Sequence, residues 1–213
     1  MPVFLTEKIN ENCSLSIWKI VESGEDLIRL FKPFPRDLEK FNSISHPAKR
    51  AECVASRLAL KEILKATGTT YTGISYDQNR KPYLSDSREH ISFSHSGEYA
   101  CALLHKSRNA AVDLEMIREK LTLVSPRILS AQEMEDASND LKKMAVYWTC
   151  KEVVYKFHAE RSLNFRKDIF IEPFSFDSQG ECLALLKLKG LETRLKINYR
   201  HFGNYIIAYT YEN

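Results

Sequence analysis

The sequence has little glycine, and it lacks the glycine-rich loops that bind phosphate through backbone amides. Only 7 of the 213 residues are glycine, and neither G-x-x-x-x-G-K-[ST] nor G-x-G-x-x-G occurs. A P-loop nucleotide-binding domain and a Rossmann dinucleotide-binding domain are therefore excluded. Any phosphate site in this chain must depend on side chains.

Long apolar runs and metal-binding cysteine patterns are also missing. No stretch approaches the ~18 apolar residues of a membrane span, and the first residues lack the basic and apolar regions of a signal peptide. The five cysteines are scattered, without a C-x-x-C or a histidine at zinc-site spacing: Cys13, Cys53, Cys101, Cys150 and Cys182. We therefore expect a cytoplasmic protein with no membrane partner, in which the cysteines are small buried hydrophobes.

The excess of positive charge is small. Lys and Arg number 31 and Asp and Glu number 28, which gives a formal net charge of +3 at pH 7. This charge is too low to indicate a nucleic-acid partner. With 44% hydrophobic and 28% charged residues, the composition is that of a globular protein that can bury a core, as one large domain or two small ones.

Two segments have the periodicity of a long helix. The first covers about residues 47–66, with Ser45 as its N-cap, a proline in its first turn and Gly68 as its C-terminal stop. The second region opens with Ser130-Ala131-Gln132-Glu133, which has capping-box spacing, and continues into a long helix that reaches about residue 160.

Short strand-like runs follow each helical region. The run from residue 73 to 115 predicts one antiparallel meander, and Ser178-Gln179-Gly180 predicts a turn in the next. The predicted strands are 73–76, 91–93, 99–104 and 110–114, then 169–172, 183–188, 195–199 and 205–211. We therefore predict an α+β protein of two similar halves, residues 1–108 and 109–213, each a long helix packed on an antiparallel meander.

Three carboxylates are candidates for binding a hard cation. Asp113 and Glu115 are two apart in a strand-like run, so both project from one face toward a site for Mg²⁺, although an exposed strand edge is the commoner meaning of D-x-E. Glu152 falls within an apolar stripe of the second helix, where an ionised group needs a cation or a basic partner. Lys156, one turn later, is an ordinary helix partner for it.

Polar and basic side chains elsewhere are suited to phosphate. Ser94, His95 and Ser96 precede Gly97 at a predicted turn, where hydroxyls, an imidazole and backbone amides could face an anion; a polar hairpin is the simpler interpretation. Four cationic side chains could join them at a phosphate: Lys49, Arg50, Arg57 and Lys81. Lys61 and Lys65 fit a solvated helix face better.

Taken in order, four motifs resemble one family. The Lys81-Pro82 pair, Ser94-His95-Ser96, Asp113-Leu114-Glu115 and the W-x-x-K-E-x-x-x-K pattern from Trp148 to Lys156 are similar to the larger, surfactin-synthetase-activating type of 4'-phosphopantetheinyl transferase. The resemblance covers about residues 47–176. It implies a monomer whose two halves are related by a pseudo-twofold axis, with the active site at their interface.

The resemblance implies a reaction and its co-substrates. The family transfers the phosphopantetheine arm of coenzyme A to a serine of an apo acyl- or peptidyl-carrier protein, in fatty-acid, polyketide or nonribosomal peptide biosynthesis, and leaves adenosine 3',5'-bisphosphate. Asp113, Glu115 and Glu152 would bind Mg²⁺, for which Mn²⁺ could substitute. Glu152 and Lys156 would be catalytic, Glu152 as the base, either directly or through a metal-bound water, and Lys156 on the diphosphate.

The same resemblance assigns the nucleotide phosphates to another set of residues. Ser94, His95, Lys81 and Arg57 match the family motifs for this role, and Lys49 and Arg50, upstream of the matched motifs, are further candidates for it. Apolar and basic residues in 117–128 would receive an acidic carrier helix or would pack between the halves.

The chain departs from the family pattern at two places. Arg80 stands where a glycine often precedes the Lys-Pro pair, and His158-Ala159-Glu160-Arg161-Ser162-Leu163 replaces a glycine-containing segment after the helix. Both departures bear on carrier docking. Two alternative functions stay open: a coenzyme A or carrier-binding protein without turnover, and a metal-dependent phosphodiesterase acting on the same ligands.

Overall fold

A computed structural model describes residues 2–87, 89–160 and 162–212. Arg161, within the segment that departs from the family pattern, lies outside the described residues. The chain forms two compact units: unit 1 extends to Ala110 and includes the C-terminal end from Tyr211, and unit 2 is Ala111–Thr210.

Unit 1 contains a six-stranded sheet. Its strands are β1 (Val3–Lys8), β2 (Cys13–Lys19), β3 (Ile74–Tyr76), β4 (Pro82–Leu84), β5 (His90–Ser96) and β6 (Tyr99–His105). They are ordered β1-β2-β6-β5-β4-β3, and neighbouring strands are antiparallel. The predicted meander after residue 73 is therefore confirmed for β3 to β6.

Three helices complete unit 1: α1 (Gly24–Phe31), α2 (Pro35–Asn42) and α3 (Pro47–Thr67). The long helix is confirmed, and it ends at Gly68, whose φ of 71° is a conformation that glycine adopts without strain. The prediction that Ser45 caps it was wrong, because His46 occupies the N-cap. The residue before a proline is pushed into extended backbone, so Pro47 places the cap at His46.

Unit 2 contains the remaining helices and the second sheet. Its elements are β7 (Ala110–Met116), α4 (Lys120–Ile128), α5 (Ala131–Ala137), α6 (Leu141–His158), β8 (Ile169–Ile171), β9 (Gln179–Leu188), β10 (Leu191–Phe202) and β11 (Tyr205–Tyr211). The sheet order is β7-β11-β10-β9-β8. The predicted run 110–114 therefore does not continue the first meander, since β7 lies beside β11 in the other sheet.

The predicted turn at Ser178-Gln179-Gly180 is also wrong, because Gln179 and Gly180 begin β9. Gly180 pairs with Tyr199 of β10, and a Cβ at position 180 would lie 2.9 Å from the Tyr199 ring. A glycine is therefore needed here because the two strands approach each other closely. A glycine in a strand and a glycine in a turn look alike in the local sequence.

Helix α6 is buried around most of its circumference. Met144, Val146 and Cys150 on it are all 1% exposed or less, and they pack in one cluster with Ile169 and Ile197 of the sheet. The capping box of α5 is confirmed, with the Ser130 and Glu133 side chains each bonded to the other's backbone. Asp140 caps α6 by accepting hydrogen bonds from the next turn.

Lys151 is a fully buried charge at the centre of unit 2. Its ammonium lies 2.8 Å from Glu133 and donates to the carbonyl oxygens of Ile128, Phe165 and Ile169 at 2.6–3.1 Å. Glu133 also accepts from the Ile171 amide at 2.8 Å. The pair thus links α4, α5, α6 and β8, and it fixes the helix that carries Glu152.

The fold class predicted from the sequence is confirmed at the level of a mixed α+β protein with two antiparallel sheets. Across residues 2–87, 89–160 and 162–212, no helix has the length and apolar character needed to cross a bilayer.

Candidate functional site

β7 positions two carboxylates in unit 2. Side chains alternate along a strand, so Asp113 and Glu115 share one face while Leu114, 1% exposed, lies on the other. Asp113 is 5% exposed and Glu115 is half-buried. A buried carboxylate at this point requires a positive partner.

Lys156 of α6 supplies that partner. Its ammonium donates to Asp113 Oδ1 at 2.7 Å and to the Val112 carbonyl oxygen at 3.1 Å. The ion-pair partner of Lys156 is therefore Asp113, rather than Glu152 one turn earlier on the same helix. The contact brings together two motifs that are 43 residues apart in sequence.

Glu152 is electrostatically coupled to this group. Burial raises the pKa of its carboxyl to about 7, Asp113 raises this pKa as well, Lys156 lowers it, and Glu115 raises it further. A carboxyl with a pKa near neutrality can exchange a proton at working pH, which is the property of a general base. A bound cation would lower this pKa by stabilising the ionised form.

The carboxylates fit Mg²⁺ by chemistry. Hard carboxylate oxygens are its preferred protein ligands, and a divalent cation would relieve the repulsion that Asp113 and Glu115 exert on Glu152. Within the three described segments, however, no group of three or more His, Cys, Asp or Glu side chains is already arranged to hold a metal ion.

In unit 1, Arg57 is buried and bonded within the fold. Its guanidinium donates to the Cys53 carbonyl oxygen, to Ser56 Oγ and to the Tyr76 hydroxyl at 2.9–3.1 Å, and it lies 4.7 Å from the centre of the Phe93 ring. Only 6% of Arg57 is exposed. Its charge is fixed in place, so it would act on a phosphate chiefly as a positioned charge.

Arg50 and Lys49 start the same helix but make different contacts. Arg50 donates from Nε and one terminal nitrogen to the Ile44 carbonyl oxygen at 3.1 and 3.0 Å, closing the loop before α3. Lys49 lies 2.8 Å from Glu52 Oε2, and His95 Nδ1 lies 3.1 Å from the same oxygen. Glu52 thus joins two of the predicted phosphate residues, and only its i,i+3 spacing from Lys49 could have pointed to it.

The Ser94-His95-Ser96 segment is the end of β5 rather than a turn. Ser94 and Ser96 are buried, at 7% and 6% exposed, while His95 is half-buried. Because strand side chains alternate, the two serines share one face and the imidazole lies on the other. The expected turn begins only after Ser96, where β5 and β6 are joined.

Lys81 is held from the end of the β6–β7 connection. Its ammonium donates to Asn109 Oδ1, and burial lowers the pKa of Lys81 to about 8, with Asp77 opposing the shift. Sequence reasoning missed Asn109, since its contact with Lys81 joins residues 28 positions apart.

A cavity of about 340 Å³ lies elsewhere in unit 2, on β9, β10 and β11. It is lined by Gln179, Gly180, Glu181, Asn198, Tyr199, Arg200 and Tyr209. This lining is separate from the carboxylates of β7 and α6.

Comparison with protein-family models gives no match to this chain, and a search of curated proteins gives none either.

Proposed function

We propose that this protein is a 4'-phosphopantetheinyl transferase of the larger, two-half type. It would convert an apo acyl- or peptidyl-carrier protein to its holo form with coenzyme A as co-substrate. The observation that carries the proposal is the coupled group of Asp113, Glu115, Glu152 and Lys156, because two motifs named from sequence meet in one charged cluster.

The transfer forms one phosphorus–oxygen bond and breaks another. The carrier serine oxygen attacks the phosphorus that bears the pantetheine arm, and adenosine 3',5'-bisphosphate leaves with the bridging oxygen. Mg²⁺, when bound by Asp113, Glu115 and Glu152, would neutralise charge on the diphosphate.

The chain's own residues divide the remaining work. Glu152 accepts the proton of the serine hydroxyl as attack proceeds; its pKa of about 7 is that of the site without a cation, and a bound cation would favour the ionised form that a base needs. Lys156, oriented by Asp113 and the Val112 carbonyl, stabilises the negative charge that develops on the leaving oxygen. Both roles need groups that are positioned before reaction, and the ion pair between Lys156 and Asp113 supports this for Lys156.

In unit 1, Lys49, Lys81, Ser94 and His95 would bind the nucleotide phosphates. Arg57 would contribute a fixed charge, and Arg50 would maintain the loop before α3. The proposal also keeps the pseudo-twofold, monomeric architecture and the cytoplasmic location expected from sequence. Residues 117–128 would receive the carrier or would pack between the halves, and α4 there presents Leu123 at 75% exposure.

The direct test is transfer itself. The full chain is incubated with coenzyme A, Mg²⁺ and a panel of apo-carrier proteins, and intact mass spectrometry looks for a gain of about 340 Da on a carrier, the increment for transfer of the phosphopantetheinyl group. Glu152→Gln and Lys156→Ala should each lose transfer, while Lys142→Ala, an exposed lysine on the same helix, should not.

Other outcomes assign other functions. Tight binding of coenzyme A without a mass gain on any carrier would favour a non-catalytic binding protein. Release of phosphopantetheine to water without a carrier would favour a metal-dependent phosphodiesterase. Full transfer by Glu152→Gln would remove this residue as base and as metal ligand.

A further inference from the structure

His105 is a buried histidine that the proposed reaction does not use. It ends β6 in unit 1 and is 3% exposed. Its Nδ1 accepts hydrogen bonds from the backbone amides of Ser107 and Arg108, at 3.3 and 3.0 Å. The imidazole therefore shapes the turn that leaves the strand.

These two bonds fix the protonation state of the ring. A nitrogen that accepts from two amides carries no proton, so the ring is neutral and its proton is on Nε2. Protonation of Nδ1 would turn an acceptor into a donor facing two other donors. Both bonds would then be lost, and two amides would lose their partner.

The turn ends at Asn109, which makes two contacts of its own. Its side-chain Oδ1 accepts from the ammonium of Lys81, and its backbone carbonyl accepts from the Glu212 amide at 2.9 Å. Lys81 therefore depends for this contact on where the His105 turn places Asn109. The chain of contacts runs from His105 through the turn to Lys81, all within unit 1.

Several groups face the His105 ring. His90 is its cross-strand partner on β5, and Cys13 is its partner on β2. Tyr211 lies with its ring centre 5.7 Å away, and Arg108 and Glu212 act on it electrostatically. Burial lowers the pKa of His105, His90 and Arg108 lower it further, and Glu212 opposes them.

We propose that neutral His105 is a positioning residue for Lys81, and that its protonation releases the Ser107–Arg108 turn and weakens binding of the coenzyme A phosphates. Its coenzyme part rests on the proposed function, because only the proposed function gives Lys81 a phosphate ligand. The positioning part concerns the free protein alone.

The discriminating variant is His105→Asn. An asparagine side-chain oxygen can accept from the Ser107 and Arg108 amides in place of Nδ1, and it does not titrate. His105→Ala removes the acceptor altogether. The Asn variant should therefore behave like wild type at pH 7.5 and should lose the response to acid, whereas the Ala variant should behave at pH 7.5 as wild type does in acid.

The first measurement is NMR of the free, full-length protein between pH 7.5 and 5. In wild type, the Ser107 and Arg108 amides should shift with the same midpoint as the His105 ring, and the Lys81 ammonium should show this midpoint in addition to its own titration, since burial lowers the pKa of Lys81 to about 8. In His105→Asn the amides should stay unchanged, and the Lys81 signal should lose the His105 midpoint. The proposal would be overturned if the Lys81 signal did not change as His105 titrates, or if the His105 ring were protonated on Nδ1 at pH 7.5.

The second measurement is coenzyme A affinity by calorimetry over the same pH range. The 3'-phosphate titrates in this range too, so the informative quantity is the ratio of wild-type to His105→Asn affinity. That ratio should fall with acid, by at most about tenfold per pH unit, the limit for one linked proton. A constant ratio would overturn the claim that His105 protonation weakens coenzyme A binding. Absence of coenzyme A binding at any pH would refute the proposed function. In that case the NMR result would still decide whether His105 positions Lys81.

Discussion

At the scale of single residues, six non-glycine side chains among the described residues occupy backbone conformations that favour glycine, and two of them, Arg80 and Ala159, lie in segments already singled out from the sequence. Arg80 has φ 66° and Ala159, the C-cap of α6, has φ 53°. Each of these residues therefore carries the steric cost of a left-handed conformation.

Glycine at either position should therefore stabilise the protein. We expect Arg80→Gly and Ala159→Gly each to gain up to about 1 kcal/mol, the left-handed cost less the extra entropy that glycine loses on folding. Urea unfolding measures the gain. Arg80→Ala is the control, because it keeps a Cβ and should gain nothing; equal stability of the Gly and Ala variants would show that the backbone is unstrained.

Glu152 makes a prediction about pH. Its pKa in the folded protein, about 7, lies above the ordinary value of 4.5, so between these values the folded state binds more protons than the unfolded state. Stability is therefore lost as pH rises from 4.5 to 7. Glu152→Gln should remove this loss and should exceed wild type in unfolding free energy by roughly 2 to 3 kcal/mol at pH 8, with little difference at pH 4.

Thermal unfolding in chelator at both pH values checks this, and wild type with added Mg²⁺ is the companion measurement. Mg²⁺ should raise the melting temperature of wild type at pH 8 and should raise that of Glu152→Gln much less. A variant less stable than wild type at pH 8 would contradict the buried, repelled state of this carboxylate.

At the scale of elements, local signals and long-range contacts were predictable to different degrees. Helix α3, the α5 capping box and most strands followed from periodicity and caps, which depend on neighbouring residues. The place of β7 in the second sheet, and the strand role of Gly180, depend on β11 and Tyr199, which are distant in sequence. No local pattern encodes those pairings.

The candidate site likewise combines residues that local motifs predict with contacts that only the fold creates. Asp113, Glu115, Glu152 and Lys156 were named from motifs, but the Lys156–Asp113 ion pair joins a helix to a strand and could not be read from either. Glu52 and Asn109 were missed because an isolated acid or amide is common on any surface. Their importance comes from what the fold places beside them: His95 and Lys81.

Lys151 tests how strongly α6 is fixed. Lys151→Ala should destabilise the protein by about 3–5 kcal/mol, because it leaves Glu133 as an uncompensated buried charge. The double variant Lys151→Met with Glu133→Gln should recover part of that loss. Urea unfolding gives the unfolding free energy of both variants. The control is the exposed Lys142→Ala, expected within about 0.5 kcal/mol of wild type. If Lys151→Ala were also that close to wild type, the ion pair would not hold the helix.

At the scale of the whole molecule, the two units carry different kinds of chemistry. Under the proposed function, unit 1 would contribute the side chains that bind phosphates that do not react: Lys49, Lys81, Ser94 and His95. Unit 2 contributes the coupled carboxylates and Lys156, which in the proposed reaction would face developing charge. Contacts with non-reacting phosphates stabilise ground state and transition state alike, whereas groups that meet developing charge act on the transition state.

The kinetic constants should therefore separate by unit. Lys81→Ala in unit 1 should raise KM for coenzyme A by about tenfold with kcat nearly unchanged, since a charge-assisted contact is lost equally from both states. Lys156→Ala in unit 2 should lower kcat by at least about 100-fold, as expected when a group that stabilises developing charge is removed.

Lys65→Ala and Lys142→Ala, both exposed lysines on the long helices, are the matched controls. Steady-state transfer to one apo-carrier gives all four values. If Lys81→Ala lowered kcat as much as Lys156→Ala does, the division of binding and chemistry between the units would be wrong, because a residue that only binds non-reacting phosphate has no effect on the rate of the saturated enzyme.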